Sequence, residues 1–334
     1  MEREYLMNFF ENKKILVTGG TGMVGMALIK LLKESGAKIR VVSIDNVSPF
    51  ENQKDIEFIK LDLRNYDNCL KVCNNIDIVF HVAGIKGSPA VALNKPASFF
   101  VPTITFNTNL LEAAVKSKAN HILYTSSIGV YSPSSIFNED DVWKTFPSEN
   151  DRFAGWAKRM GELQMMAYEK ELNFNNYSII RPANIYGPYD NFDPKNAMVI
   201  PSLINKVLSS KDTIEVWGDG SAIRDFIFSR DVARGMMLAV EKKIKKPLNL
   251  GSGTGITIKQ LINSIIKAIP NNNLKIKWDT SKPTGDKVRV MNMELASSFG
   301  FKCETNLEDG IKETVDWYLK NKNYSDKKFN SFKS

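Results

Sequence analysis

"ILVTGGTGMVG", Ile15 to Gly25, joins an apolar run rich in β-branched side chains to three glycines spaced three apart, Gly19, Gly22 and Gly25. The amphipathic stretch "MALIKLLKES", Met26 to Ser35, follows at once. That order is a strand, a tight turn and a helix. The first glycine permits the turn, the second lets the backbone approach a pyrophosphate, and the third lets helix and strand pack closely. The anion then rests on free N–H groups at the helix N-terminus. Glycines alone at this spacing say little, but the flanking strand and helix make the pattern specific. Met23 and Val24 belong to the same anion-facing turn.

Working outward, short apolar runs alternate with helical stretches as far as Ser127: "KIRVVSID", "IEFIKLD", "NCLKVCNN", "DIVFHVAG", "TFNTNLLEAAVKS" and "HILYTSS". Runs of this length and composition, separated by helices, are what strands buried on both faces of a parallel sheet look like. The expected fold is a Rossmann-type doubly wound α/β sheet with a smaller α/β region after it. The second strand ends in "VVSIDN", which puts Asp45 where a carboxylate accepts hydrogen bonds from an adenosine ribose 2′-OH and repels a 2′-phosphate. NAD is therefore favoured over NADP, the lesser alternative being that Asp45 only caps a turn. Asp62 is placed to touch the adenine. Leu63, Val82, Ala83, Gly84 and Pro182 are expected to complete the cofactor site.

Composition narrows the class. The chain has 334 residues, 43% hydrophobic and 25% charged, enough for a large core with a smaller companion. "MEREYLMNFFENKK" is charged and interrupted, so neither a secretory signal nor a membrane span is expected, and a cytoplasmic location follows. Cys69, Cys73, Cys303, His81 and His121 show no disulfide framework and no zinc spacing, so no metal is expected. The formal charge of +8 is spread out, apart from "EKKIKK" and the tail "NKNYSDKKFNSFKS". That distribution argues for solvated faces rather than nucleic acid, and a mild positive field suits a small phosphate-bearing ligand.

The expected organisation is an N-terminal extension over 1–12, whose Tyr5, Phe9 and Phe10 either add contacts to another subunit or form a loose arm. A dinucleotide domain over 13–187 takes back segments at about 223–252. A substrate region spans 188–222 and 253–322, and 323–334 is a flexible tail. "DFIFS" and "PLNLG" read as strands crossing back to the large sheet, and Pro182 ends the ladder of "YSIIRPANIYGP". "GSGTG", Gly251 to Gly255, lacks the Lys-Ser/Thr ending of a phosphate loop and reads as a turn capping a helix through Thr254 or Thr257. Cys69 and Cys73 share a helical face and read as packing.

The series "TGGTGMVG", "LDLRN", "HVAG", "TSSIGVYS", "AKRMGE", "RPANIYGPYDNFDP", "VIPSLI", "VWGDGSAIRDFIFSRDVA" and "NLGSG" resembles the extended short-chain dehydrogenase/reductases that act on nucleotide sugars. The segment "IYGPYDNFDPKNAMVIPSLI" looks most like GDP-fucose synthase and its relatives, which implies a GDP-sugar. The resemblance assigns Lys158 to the nicotinamide ribose and Ser127 to the sugar oxygen at C4. The family tyrosine four residues before that lysine, its acid/base, is here Ala154. The acids that remove water in 4,6-dehydratases are matched by Ile128 and Gly129, and the epimerising cysteine and histidine by Gly129 and Met198. None of these carries a proton, which leaves hydride transfer at C4 of a GDP-linked hexose or heptose.

The same resemblance places Arg224 on the nucleotide and Lys206 on the diphosphate, with Lys86, Asn184, Val199, Pro201 and Arg289 around the substrate. Trp217 either stacks on a base or closes the core, and Arg224 next to Asp225 could be a plain ion pair. Pairing through a four-helix bundle that includes the Lys158 helix implies a homodimer or homotetramer. A 4-epimerase and a non-catalytic NAD-binding protein are the alternative readings.

Overall fold

The computed structural model describes residues 8–45, 49–50, 53, 55–88, 91, 94–270, 274–282, 285–327 and 329. Its first six strands are β1 (Lys14–Thr18), β2 (Lys38–Ser43), β3 (Ile56–Lys60), β4 (Ile78–His81), β5 (His121–Thr125) and β6 (Tyr177–Pro182). They lie parallel in the order β3-β2-β1-β4-β5-β6. Successive side chains of a strand point to opposite faces, so Ile15 and Val17 join one core while Leu16 joins the other. Helix α1 (Met23–Glu34) covers the first face, and α2 (Tyr66–Cys73), α3 (Pro96–Lys116) and α4 (Arg152–Leu172) cover the second.

Pro182 ends the run of β6, as its missing N–H dictates, and Ala183 gives the next hydrogen bond to the Leu250 carbonyl at 2.8 Å. The chain then leaves through β7 (Asn184–Tyr186), α5 (Val199–Ser209), β8 (Thr213–Trp217) and β9 (Ile223–Phe228). Helix α6 (Ser229–Glu241) packs beside α1, and β10 (Leu248–Leu250) adds a seventh parallel strand next to β6. The sequence expectation for "PLNLG" therefore matches the structure, whereas "DFIFS" does not return to the large sheet. Strand β9 instead bonds to β7, β11 (Gly255–Thr257) and β13 (Val288–Arg289). The reason is its two faces: Phe226 and Phe228 lie in the third core, while Ile227 lies in the first.

That third core gathers α5, α7 (Ile258–Ala268) and α9 (Leu307–Lys320), and β8 pairs with β12 (Lys275–Asp279) beside it. Thr257 caps α7 through a reciprocal pair with Gln260. The loop "GSGTG" wraps the buried Asp225 carboxylate, which accepts from the Ser252 and Gly253 amides at 2.8 and 3.1 Å. Cys69 and Cys73 are buried, and burial pushes both thiols up to about 12, the state of packing residues. At the other end, Phe10 is fully buried 6.1 Å from Phe80, so it is a core residue of this chain; Tyr5 lies outside the described residues.

The largest buried side chains include Arg181 on β6, paired with the equally buried Glu162 on α4. Arg181 Nε and Nη2 donate to the two carboxylate oxygens at 2.9 and 2.6 Å, and Ser126 Oγ donates to the same carboxylate. Arg181 Nη1 reaches the Glu139 carbonyl at 2.8 Å and the Tyr131 hydroxyl at 3.2 Å. Removing one member of such a pair strands the other charge without water. Arg181→Met is expected to destabilise the fold by about 3–5 kcal/mol, read as a lower urea midpoint with an unchanged slope.

Candidate functional site

One open cleft of about 1140 Å³ runs along the C-terminal edge of the parallel sheet and into the region of the third core. Its floor begins at the turn after β1. Gly19 has φ +65°, and a Cβ there would stand 2.7 Å from the Ala83 Cα; a Cβ on Gly25 would stand 2.5 Å from the Gly19 carbonyl. No larger residue fits either place. The cradle thus brings the N-terminus of α1, whose first turn carries no acid, to the cleft wall together with Gly22, Met23 and Val24. Asp45 closes the same end: Thr21 Oγ1 donates to its Oδ2 at 2.6 Å, and the Phe329 amide donates to its Oδ1 at 2.8 Å. Phe329 therefore reaches the carboxylate expected to hold a ribose, a contact that nothing in the sequence signals. Asp62 also lines the cleft, but Arg64 grips both its oxygens and holds the carboxyl below its usual range.

The opposite end is built from β4, β5 and α4. Thr18 Oγ1 accepts from the Val82 and Ala83 amides at 3.2 Å, so its single hydrogen goes to His81 Nδ1 at 2.8 Å. The His81 ring proton then sits on Nε2 and goes to Asn107 Oδ1 at 2.8 Å. Asn107 Nδ2 donates to the Tyr124 hydroxyl at 3.0 Å, which donates to the Lys158 carbonyl at 3.1 Å. This one-way chain ties the Val82–Gly84 turn to the helix facing it across the cleft, and His81 is structural. Lys158 Nζ donates to the Thr125 carbonyl at 2.8 Å and sits 4.0 Å from where a Cβ on Gly84 would be. Burial draws its ammonium down from 10.5 to about 8, against the pull of Glu162, although part of the side chain still borders the cleft. Among the described residues, Thr125 Oγ1 is buried without a hydrogen-bond partner at the same place.

Ser127 caps the short turn Ile128–Val130 through the Gly129 amide at 3.0 Å and lines the cleft with Ala154 and Pro182. Leu63, Val82, Ala83, Gly84, Asn184, Val199, Pro201 and Arg289 line it too. Lys86 also does, but its ammonium is paired at 2.7 Å with Asp190, a buried acid the sequence reading did not single out. The other three expected substrate residues stand outside the cleft wall. Lys206 donates to the Glu215 carbonyl at 3.0 Å and lies over the Trp217 ring, which is itself half exposed. Arg224 Nη1 donates to the Ile223 carbonyl at 2.8 Å, and burial first, then Arg289, lower it to about 10. The Asp225 carboxylate is engaged by the "GSGTG" loop. Asp151, also unremarked in sequence, lines the cleft one helical turn before Ala154, a spacing that could have flagged it.

The family model described as "NAD dependent epimerase/dehydratase family" matches residues 15–251. A GDP-L-colitose synthase of Yersinia pseudotuberculosis is 28% identical over 320 residues, covering 93% of this chain and 99% of that protein. A GDP-L-fucose synthetase from Naegleria fowleri, solved bound to NADP, is 25% identical with a TM-score of 0.76, covering 94% of this chain and 95% of that one. A dTDP-glucose 4,6-dehydratase from Streptomyces venezuelae, solved with NAD bound, has the same fold at a TM-score of 0.79 and 20% identity, over 93% and 98% of the two chains.

The histidines give a pH test. Burial first, then Lys158, takes His81 down to about 3, and burial takes His121 to about 4, whereas an unfolded chain titrates near 6.5. Between pH 6.5 and 4 the unfolded state binds protons that the folded state refuses, so stability falls as pH falls, by about 1.4 kcal/mol per pH unit for each ring. Ring nitrogen NMR is expected to find both imidazoles neutral at pH 5.5 in the folded protein.

Proposed function

The chain belongs to the NAD dependent epimerase/dehydratase family, and from that premise we propose that it transfers hydride between a nicotinamide dinucleotide and C4 of a GDP-linked hexose or heptose. It is an enzyme of the nucleotide-sugar branch of that family and uses a nicotinamide cofactor. One observation carries the finer reading. A glycine cradle and Asp45 stand at one end of a single cleft and Ser127 and Lys158 at the other, with Ala154 lining it one turn before Lys158, where the resemblance puts the family's proton-carrying phenol. The GDP moiety rests on the named relatives.

The residues fit the dinucleotide. Gly19, Gly22 and the first turn of α1 would hold its pyrophosphate, Asp45 the adenosine ribose, and Lys158 with the buried Thr125 hydroxyl the nicotinamide ribose. When bound, it supplies the two-electron hydride chemistry. Ser127 orients the sugar oxygen, and the Thr18–His81–Asn107–Tyr124 chain keeps the turn over Gly84 at a fixed distance from Lys158. Asp45 favours NAD, since its carboxylate repels a 2′-phosphate. Dehydration and epimerisation through a ring carbon lack their proton carriers at Ile128, Gly129 and Met198. Exposed Val101 on α3 and Leu163 and Met166 on α4 suit pairing with a second copy of the chain, as a dimer or tetramer.

The test is the nicotinamide absorbance near 340 nm after GDP-mannose or a GDP-linked heptose is added to protein loaded with NAD or NADH. A change, with a 4-keto or 4-hydroxy product by mass and NMR, supports the reading. A product inverted at C4 with no net absorbance change points to an epimerase, and binding without any chemistry points to a non-catalytic protein. Lys158→Met is expected to lower turnover ~10²–10⁴-fold, and Asp45→Ala to narrow the preference for NAD over NADP in calorimetry.

A further inference from the structure

Resting on the hydride-transfer reading, the geometry points to Asp151 as the group that takes the proton from the sugar hydroxyl in place of the missing phenol. Asp151 ends the turn Glu149–Asp151 at the start of α4, one helical turn before Ala154, and lines the cleft. The space directly above Gly129 is where it meets the site. A point one bond out from the Gly129 Cα, where a Cβ would stand, is 3.5 Å from Ser127 Oγ and 3.4 Å from the Asp151 carboxyl carbon. The serine and the carboxylate therefore flank Gly129, no side chain of residue 129 stands between them, and a hydroxyl held at the cleft surface between the two can touch both. Ala154 lines the same cleft one turn further along α4.

The carboxylate is prepared for this use. Its Oδ2 is buried against the Arg289 guanidinium, which Asp286 also binds, with Arg289 Nε at 2.9 Å from Asp286 Oδ2. Its Oδ1 accepts no hydrogen bond among the described residues and remains for a ligand. Lys158 is less well placed, since its ammonium is turned to the Thr125 carbonyl beside Gly84, and Ser127 has no proton sink of its own apart from this carboxylate. Arg289, itself held by Asp286, fixes the carboxylate in place.

The step balances. The sugar O–H bond breaks and its proton passes to Asp151; the C–H bond on the same carbon breaks and its hydrogen leaves with both electrons to the nicotinamide ring; a C=O bond forms. The sugar loses two electrons and the dinucleotide gains them. In the reverse direction protonated Asp151 returns the proton to the new alkoxide.

Asp151→Asn keeps the size and a hydrogen bond to Arg289. We expect it to lower single-turnover hydride transfer with GDP-mannose or a GDP-linked heptose ~10²–10⁴-fold. Calorimetric affinities for NAD and the GDP-sugar should stay within about threefold. Adding Ala154→Tyr to that variant should return at least tenfold, because a phenol then enters the same cleft; a purely structural aspartate would give no such rescue. Gly129→Ala, whose Cβ meets only ordinary contacts and so folds, should put a methyl between Ser127 and Asp151 and lower the rate with binding kept. Full hydride transfer in Asp151→Asn, or in Gly129→Ala, overturns the assignment while leaving the hydride-transfer reading intact. Wild-type protein that binds both ligands and never changes nicotinamide absorbance removes that reading and Asp151's role together.

Discussion

The buried pair between Arg181 and Glu162 is the constraint on which the candidate site depends. It fastens strand β6 to helix α4 and draws Ser126 onto the same carboxylate, one residue before Ser127. Lys158 is one turn earlier on that helix, so the end of β5, the serine and the lysine share one anchor. Charges this deep tolerate no partial solution: either both are paired and their remaining hydrogens are used, or the helix and sheet must part to let water in. Tyr131, Asn249 and the Glu139 carbonyl complete the set, which explains why the loop after Ser127 follows a single path.

A second network, uncharged, does the same for the facing wall. Two amides fill the acceptor sites of Thr18, so its hydrogen goes to His81, which sets the ring tautomer, and Asn107 and Tyr124 carry the same direction on to the Lys158 carbonyl. The result is a cleft whose two walls near Lys158 are tied together by hydrogen bonds and whose far end, at Asp45, is met by the Phe329 amide. Such ties therefore stand where a hydride and a proton would have to be aligned to a fraction of an ångström.

Much of the fold was legible in the sequence because its cause is local and periodic. Apolar runs of four to six residues mean strands buried on both faces, and glycines at 19, 22 and 25 mean a turn that only glycine can make. Proline at 182 ends a ladder because it has no N–H. The residues that those same elements were expected to bring to the site, Asp45, Ser127, Lys158 and the Val82–Gly84 turn, all line the cleft. Lys206, Trp217 and Arg224 were placed by resemblance alone, and they sit off the cleft wall, where the path of the smaller region decides position.

The sequence by itself determined the parallel sheet, the dinucleotide cradle and the absence of a phenol at 154, since each follows from residue type and spacing along one strand or helix. Only the tertiary structure decided what stands near that alanine. Asp151 meets Ser127 across Gly129 because a helix start and a strand end from different parts of the chain converge there. Arg289, far along the sequence on β13, holds it. Spacing along α4 puts Asp151 one turn from Ala154, but its meeting with Ser127 and Arg289 depends on how whole elements pack in three dimensions, which no local pattern of residues encodes.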